Sequence, residues 1–312
     1  MDRIERLRRF LNQNYGMPVG PLSPAPRGFY GETYEVQSAS EKLLLKIDPW
    51  KFHQASFLYG LKVMAELLER GITFLPDLIR GARGELSFTF EGVPLALFSY
   101  VEGVHTEEYP LTWLFEKLAI VYRQLPTSAS GDLFTVEDYE LFRALESALQ
   151  SSDSIDCEIL HVLGEARSRF DQYALRLRAS ARCCRELGLP TVMTHGDAGG
   201  NCIVRDNAVT IIDWDSARPA APERDTWMFM HRPEQTREIE AALASAAFPY
   251  KLHGEAFAYY AYSTFFFYLC QYLLEIREAA PALKAQKAAE MADFIRNGWT
   301  YGQLAAADQV RL

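Results

Sequence analysis

The sequence predicts an α+β protein in two parts, a small β-rich lobe followed by a larger, mainly helical one. Three observations carry that prediction. Short β-branched and aromatic runs, bounded by glycine, proline or charge, fill most of the first hundred residues. After Gly103 the apolar residues recur at helical rather than alternating spacing. The 312 residues, 49% apolar and 23% charged, suffice for one large or two medium domains. That composition excludes disorder, collagen-like repeats and a disulfide-scaffold mini-protein.

The elements follow in order. Ile4, Leu7 and Leu11 share one side of a short amphipathic helix, expected to dock on the first lobe. The charged start, Met1-Asp2-Arg3-Ile4-Glu5-Arg6, leads into no apolar run, so no signal peptide is expected. Strands are predicted at 27–37, 42–48, 85–91 and 95–101. One helix interrupts them, with Leu58, Leu61, Ala65 and Leu68 on one stripe and Gly71 closing it. Beyond a connector at 98–103, Leu114, Leu118, Val121 and Leu125 mark a helix, and Phe142, Leu145 and Leu149 mark another. A longer stripe, Leu163, Phe170, Ala174, Leu177, Ala181 and Cys184, predicts a single helix ending at Gly188. An island of β structure at 191–213 precedes helices that run to the end. The aromatic stretch 257–274 carries Tyr259, Tyr260, Tyr262, Ser263, Thr264, Tyr268 and Gln271. It is too polar for a membrane span and predicts a helix buried in a protein core. The expected division is 1–97, 98–103 and 104–312.

Charge and cysteine usage narrow the function classes. The net charge of −9 argues against a nucleic-acid binder, which needs a basic footprint. Residues 1–103 hold 12 basic and 12 acidic side chains, so the whole excess lies in 104–312 and favours a cationic ligand there. The five cysteines show no C-x-x-C spacing, and Cys183 and Cys184 are adjacent. A disulfide framework or zinc site is not expected, and a reducing cytoplasm is.

P-loop, dinucleotide-fold, nucleophile-elbow and zincin motifs are absent from the sequence. What stands out is Thr194-His195-Gly196-Asp197-Ala198-Gly199-Gly200-Asn201, running on to Ile211-Ile212-Asp213-Trp214-Asp215. Cys202–Arg205 and 208–212 read as strands joined by the two-residue turn Asp206-Asn207. That register sets Asn201 opposite Ile212, with Asp213 next along. Cross-strand neighbours lie ~5 Å apart. An amide oxygen beside a carboxylate suits Mg2+, a hard cation that takes a few protein oxygens and fills its shell with water and phosphate.

These residues resemble the catalytic segment of the aminoglycoside phosphotransferase and choline kinase superfamily, which has the bilobal protein-kinase-like fold. The stretch from Asp213-Trp214-Asp215 through Ala221-Pro222-Glu223-Arg224-Asp225 most resembles the spectinomycin phosphotransferase branch. Weaker likeness covers Leu45-Lys46-Ile47, Phe52-His53-Gln54-Ala55-Ser56, Phe98-Ser99-Tyr100-Val101-Glu102-Gly103 and the late Ala258-Tyr259-Tyr260. The resemblance implies transfer of the γ-phosphate of ATP or GTP, with Mg2+, to a hydroxyl of a small molecule. It makes Asp197 the residue that orients the hydroxyl and takes its proton late, since an ordinary aspartate of pKa about 4 is a weak base for an alcohol. Asp213 and Asn201 become the metal ligands, and Asp215 a neighbour that tunes them or touches a cation. His195 and Asp225 become structural supports. In the first lobe it implies that Lys46 contacts the α- and β-phosphates, that Gly28 and Gly31 let a hairpin lie over them, and that the backbone of Phe98, Ser99 and Tyr100 meets the base.

Two departures from the family pattern are visible. Asp197 to Asn201 is one residue shorter than the usual H-G-D-x-x-x-x-N, a deletion that Gly199 and Gly200 are expected to absorb. Gln54 stands where a glutamate usually pairs with the strand lysine, with Glu66 and Glu69, late on the helix, as substitutes. Two alternatives stay open: a catalytically silent homologue that binds a nucleotide or metabolite, and a bacterial stress-type Ser/Thr protein kinase. A membrane or nucleic-acid partner is not expected, and the sequence does not fix the oligomeric state.

Overall fold

Along Lys42–Ile47 every second side chain is buried: Leu43, Leu45 and Ile47 turn to one face, and Lys42, Leu44 and Lys46 to the other. This strand, β3, lies within an antiparallel sheet in the order β1 (Val19–Pro24), β2 (Glu32–Ser38), β3, β6 (Val93–Ser99), β4 (Leu78–Ile79), and β5 (Phe88–Phe90) also pairs with β6. The structure is a computed structural model that describes residues 2–25, 31–39, 41–125, 127, 133–150 and 157–312. Gly28 and the start of the strand expected at 27–37 lie outside them.

The first helix, α1 (Arg3–Tyr15), begins where Asp2 accepts the Glu5 N–H at 2.7 Å and ends at left-handed Gly16. Its Leu7 and Leu11, as predicted, and Tyr15 cover the sheet face built by Leu43, Leu45, Ile47, Leu95 and Leu97, whereas Ile4 of the predicted stripe is exposed. Strand β1 is not legible in advance, because Pro21 and Pro24 read as turn residues. It sits at the sheet edge, where proline is tolerated. After β3 come α2 (Gln54–Glu69), the strand β7 (Val104–His105) and α3 (Leu111–Gln124). A short strand, β8 (Val192–Thr194), leads to a second sheet in which β9 (Cys202–Arg205) pairs with both β7 and β10 (Ala208–Ile211). Contacts group Met1–Leu125 with Met193–Arg218 in one compact unit.

The second compact unit, Pro126–Val192 with Pro219–Leu312, contains α4 (Glu137–Gln150), α5 (Cys157–Glu165), α6 (Arg167–Leu187), the single-turn α7 (Glu223–Thr226), α8 (Pro233–Ser245), α9 (Gly254–Glu278), α10 (Pro281–Asn297) and α11 (Tyr301–Asp308). The stripe expected to form one helix over 163–184 is split between α5 and α6, which meet at Ala166. Helix α9 is the core element that the aromatic stretch predicts. Phe265 and Phe266 are fully buried, and its hydroxyls are satisfied: Tyr259 donates to the Thr135 carbonyl at 2.9 Å, Tyr262 to Asp308 Oδ1 at 2.6 Å and Ser263 to Asp138 Oδ2 at 2.7 Å. Among the described residues no helix is long and apolar enough to cross a membrane. Cys183, Cys184, Cys202 and Cys270 are free thiols.

The fold is therefore the α+β, protein-kinase-like arrangement, with a β-rich N-terminal part and a helical C-terminal part.

Candidate active site

The hairpin that the turn residues predict is present. Asp206 and Asn207 have φ of 50° and 60°, the two left-handed residues that a type I′ turn requires. Arg205 faces Ala208 and Cys202 faces Ile211, and the Ile212 N–H donates to the Asn201 carbonyl at 2.9 Å, one rung further. Asn201 thus stands opposite Ile212. Asp213 follows in the left-handed region, at φ 62° and ψ 62°, and turns the chain into the 3-10 turn Trp214–Ser216. The Trp214 indole is fully buried and donates from Nε1 to the Ile211 carbonyl at 3.1 Å, which pins the turn between the two acids.

His195 ties the loop to this hairpin. The Asp197 N–H donates to its Nδ1 at 3.2 Å, so that nitrogen carries no proton, and Nε2–H donates to the Ile212 carbonyl at 2.9 Å. The ring is buried and meets Trp214 edge-on at 4.7 Å. In these two contacts the imidazole bonds to backbone groups, and so ties the loop to the hairpin.

Asn201 donates from Nδ2 to the Asp197 carbonyl at 2.7 Å and to Asp197 Oδ2 at 3.0 Å. Both partners are acceptors, which fixes the amide orientation and turns Oδ1 away from Asp197. The shortened loop is not absorbed by unusual glycine angles. Neither Gly199 nor Gly200 has a positive φ, and the left-handed residue is Gly196, at 87°. Instead two side chains hold the loop carbonyls: Tyr109 OH donates to Gly199 O at 2.7 Å, and His105 Nε2 lies 2.7 Å from Gly200 O.

Across the same unit, Lys46 Nζ lies 2.5 Å from Asp213 Oδ1 and 2.5 Å from Asp215 Oδ2. Alternation alone leaves open which way Lys46 points; it points at these acids. Burial alone would lower the Lys46 pKa, but the two carboxylates outweigh it and raise it. Burial likewise pushes Asp213 up, and Lys46 more than reverses that, so its carboxyl titrates below the usual range. Asp215 is pushed up to about 6 by burial, with the Asp213 charge adding to it and Lys46 opposing. A Cβ at Gly31 would lie 3.3 Å from Lys46 Cε, so the stem of Lys46 passes close to this glycine.

The other expected partners of Lys46 are engaged elsewhere. Gln54 Nε2 donates to the Asp48 carbonyl at 3.3 Å. Glu66 pairs with Arg70 at 2.8 Å and Glu69 with Arg80 at 2.7 Å. Asp48 itself is buried, 2.8 Å from His53 Nδ1, at the start of α2. In the 98–103 segment, Ser99 N–H donates to Asp77 O at 2.9 Å, and Tyr100 N–H to Lys42 O at 3.3 Å. Phe98 is buried within β6. Asp225 lies buried in α7 of the second unit.

Two polar groups thus flank one hairpin: Asp197 with Asn201 before it, and Asp213 with Asp215 after it, where Lys46 reaches them from β3. They are joined by the Asn201–Ile212 rung and by His195. Among the described residues no three His, Cys, Asp or Glu side chains are grouped to hold a metal ion. A carboxylate with an amide oxygen remains a donor set that fits Mg2+. Asp213 uses one oxygen on Lys46, its side chain is 36% exposed, and Asn201 Oδ1 faces away from its own hydrogen bonds. Gly60 went unnoticed in the sequence. A Cβ on it would lie 2.5 Å from the Trp214 carbonyl oxygen and 3.0 Å from Asp215 Cα, so α2 packs directly on the Asp-Trp-Asp backbone.

The chain matches the phosphotransferase enzyme family, abbreviated APH, over residues 21–259. Protein StrN of Streptomyces griseus is 26% identical over 183 residues, a match that spans 53% of this chain and 57% of StrN. The fold resembles that of the spectinomycin phosphotransferase APH(9)-Ia in complex with ADP and spectinomycin, at a TM-score of 0.72 and 15% identity, covering 99% of each chain. It also resembles the choline kinase LicA from Streptococcus pneumoniae, at a TM-score of 0.58 and 14% identity, covering 94% of this chain and 98% of that one.

Proposed function

The chain belongs to the phosphotransferase enzyme family, and on that premise we propose that it moves the γ-phosphate of ATP or GTP to a hydroxyl of a small, cationic molecule. The observation that carries this reading is the Lys46–Asp213 ion pair, made across 167 residues of sequence, with the Asp197–Asn201 pair flanking the same hairpin.

In phosphoryl transfer, positioning and charge neutralisation supply most of the rate. Lys46 binds the α- and β-phosphates. Asp197, held by Asn201, orients the acceptor hydroxyl and receives its proton as the bond forms. His195 fixes the loop that carries Asp197. Asn201 and Asp213 would hold Mg2+, which supplies charge neutralisation to the triphosphate when bound. Residues 1–97 serve the nucleotide, 98–103 connect, and 104–312 carry the catalytic loop and the acceptor site. The acidic excess of 104–312 supports a cationic acceptor of aminoglycoside or choline type, in the cytoplasm.

A second reading, a catalytically silent nucleotide-binding homologue, is favoured by one observation: among the described residues no acidic side chain of α2 pairs with Lys46, whose contact on that helix is the Phe57 ring, 5.9 Å from Nζ to the centroid. ADP release measured over a panel of hydroxyl acceptors separates the two. The kinase reading expects turnover with at least one amine-bearing alcohol. It also expects a fall of about 10²–10⁴ in kcat for Asp197→Asn with nucleotide affinity retained. Nucleotide binding without turnover across the panel supports the silent homologue, and turnover only with a protein hydroxyl supports a Ser/Thr kinase.

A further inference from the structure

We propose that Asp215 is the positioning residue that holds Lys46 at its working place, leaving Asp213 free to face the ligand. This rests on the reading of Lys46 as the phosphate-binding lysine.

A lysine side chain is a flexible stem, and a fixed counter-charge is what keeps its Nζ at one point. Two carboxylates touch Nζ at equal distance, but they are not equivalent. Asp213 has its side chain 36% exposed, while Asp215 is 12% exposed. The backbone at Asp215 is gripped from two sides. Trp214, its neighbour, is buried and bonded to Ile211 O, and α2 packs so closely that a Cβ on Gly60 would lie 3.0 Å from Asp215 Cα. The Asp213 backbone instead sits in the left-handed region at the open end of the hairpin. When a cation draws on the Asp213 charge, the remaining carboxylate on Lys46 is Asp215.

No acid of α2 competes for this task. Glu66 and Glu69 pair with arginines, and Gln54 is bonded to the Asp48 carbonyl. The anchor therefore comes from the strand end rather than from the helix. Gly60 lets the helix support it through backbone contact, because any larger residue would overlap the Trp214 carbonyl.

Two measurements test this. The first needs no nucleotide: acetylation of Lys46 by an amine-reactive ester, followed by peptide mass. In Asp213→Asn, Lys46 should stay as protected as in the wild-type chain. In Asp215→Asn it should react about tenfold faster, as expected when the buried partner of an amine is lost. Lys46 becoming reactive in Asp213→Asn overturns the proposal, and this arm stands even if Asp215→Asn fails to fold. The second is a double-mutant cycle on the affinity for ADP. Asp215→Asn and Lys46→Ala should each weaken ADP binding about tenfold, and the double variant no more than Lys46→Ala alone. Wild-type affinity in Asp215→Asn, or full additivity in the double variant, overturns it. If the wild-type chain binds no ADP, the proposed function fails, and the acetylation result still decides the role of Asp215.

Discussion

Asp213 in the first unit and Glu223 in the second are carboxyl groups that the two regions hold in opposite ways, the first partly exposed beside a lysine and the second buried. Asp213 faces a lysine at 2.5 Å, and its pKa falls despite burial. Glu223 is completely buried and meets only neutral donors: Tyr250 OH at 3.0 and 3.2 Å and the His253 N–H at 2.9 Å. Burial raises its pKa from 4.5 to about 7, against those hydrogen bonds. A buried acid without a cation becomes a structural hydrogen-bonding group that tends toward the neutral form. Asp213, partly exposed and beside Lys46, titrates below the usual range, whereas the more buried Asp215 on the same lysine is pushed up to about 6.

The larger effect that tests this contrast lies at Glu223. Its folded-state pKa is raised, so between about pH 4.5 and 7 the native chain holds a proton that the unfolded chain has lost. The stability this contributes is complete below pH 4.5 and is lost as pH rises through 7, a change of about 3 kcal/mol. Urea unfolding across that range should show the decline, and Glu223→Gln should flatten it. An unchanged slope in Glu223→Gln would mean that the carboxyl is not the group responsible.

A smaller effect tests the other side. Gly60→Ala puts a methyl 2.5 Å from a backbone oxygen that cannot move cheaply. Overpacking strain of about 2 kcal/mol, less the ~1 kcal/mol that alanine gains in a helix, leaves a net loss of about 1 kcal/mol. Urea unfolding measures it. A gain in stability equal to the helix-propensity difference would show that the Trp214 approach is loose.

The parts of the site that could be read from sequence are the local ones. Asp206-Asn207 dictates its own turn, the turn dictates the register, and the register sets Asn201 opposite Ile212. His195 bonds within the same short segment, to the Asp197 N–H and the Ile212 carbonyl. The long-range parts could not. The partners of Lys46 lie 167 and 169 residues away, so the candidates sought on α2 were the wrong ones. Gly60 interrupts an apolar stripe and carries no signal until Trp214 is known to lie against it. His105 and Tyr109 show the same limit, because the carbonyls they bind lie 95 and 90 residues on. Helices α5 and α6 share one apolar periodicity, and spacing alone does not reveal the break at Ala166.

The most direct test of the account is the melting temperature of the chain with and without MgATP, for the wild type and for Asp213→Ala. MgATP should raise the wild-type melting temperature, and Asp213→Ala should remove the increase while the unliganded variant still melts cooperatively. An equal increase in both proteins, or none in the wild type, would contradict the assignment of Asp213 to a nucleotide-bound cation.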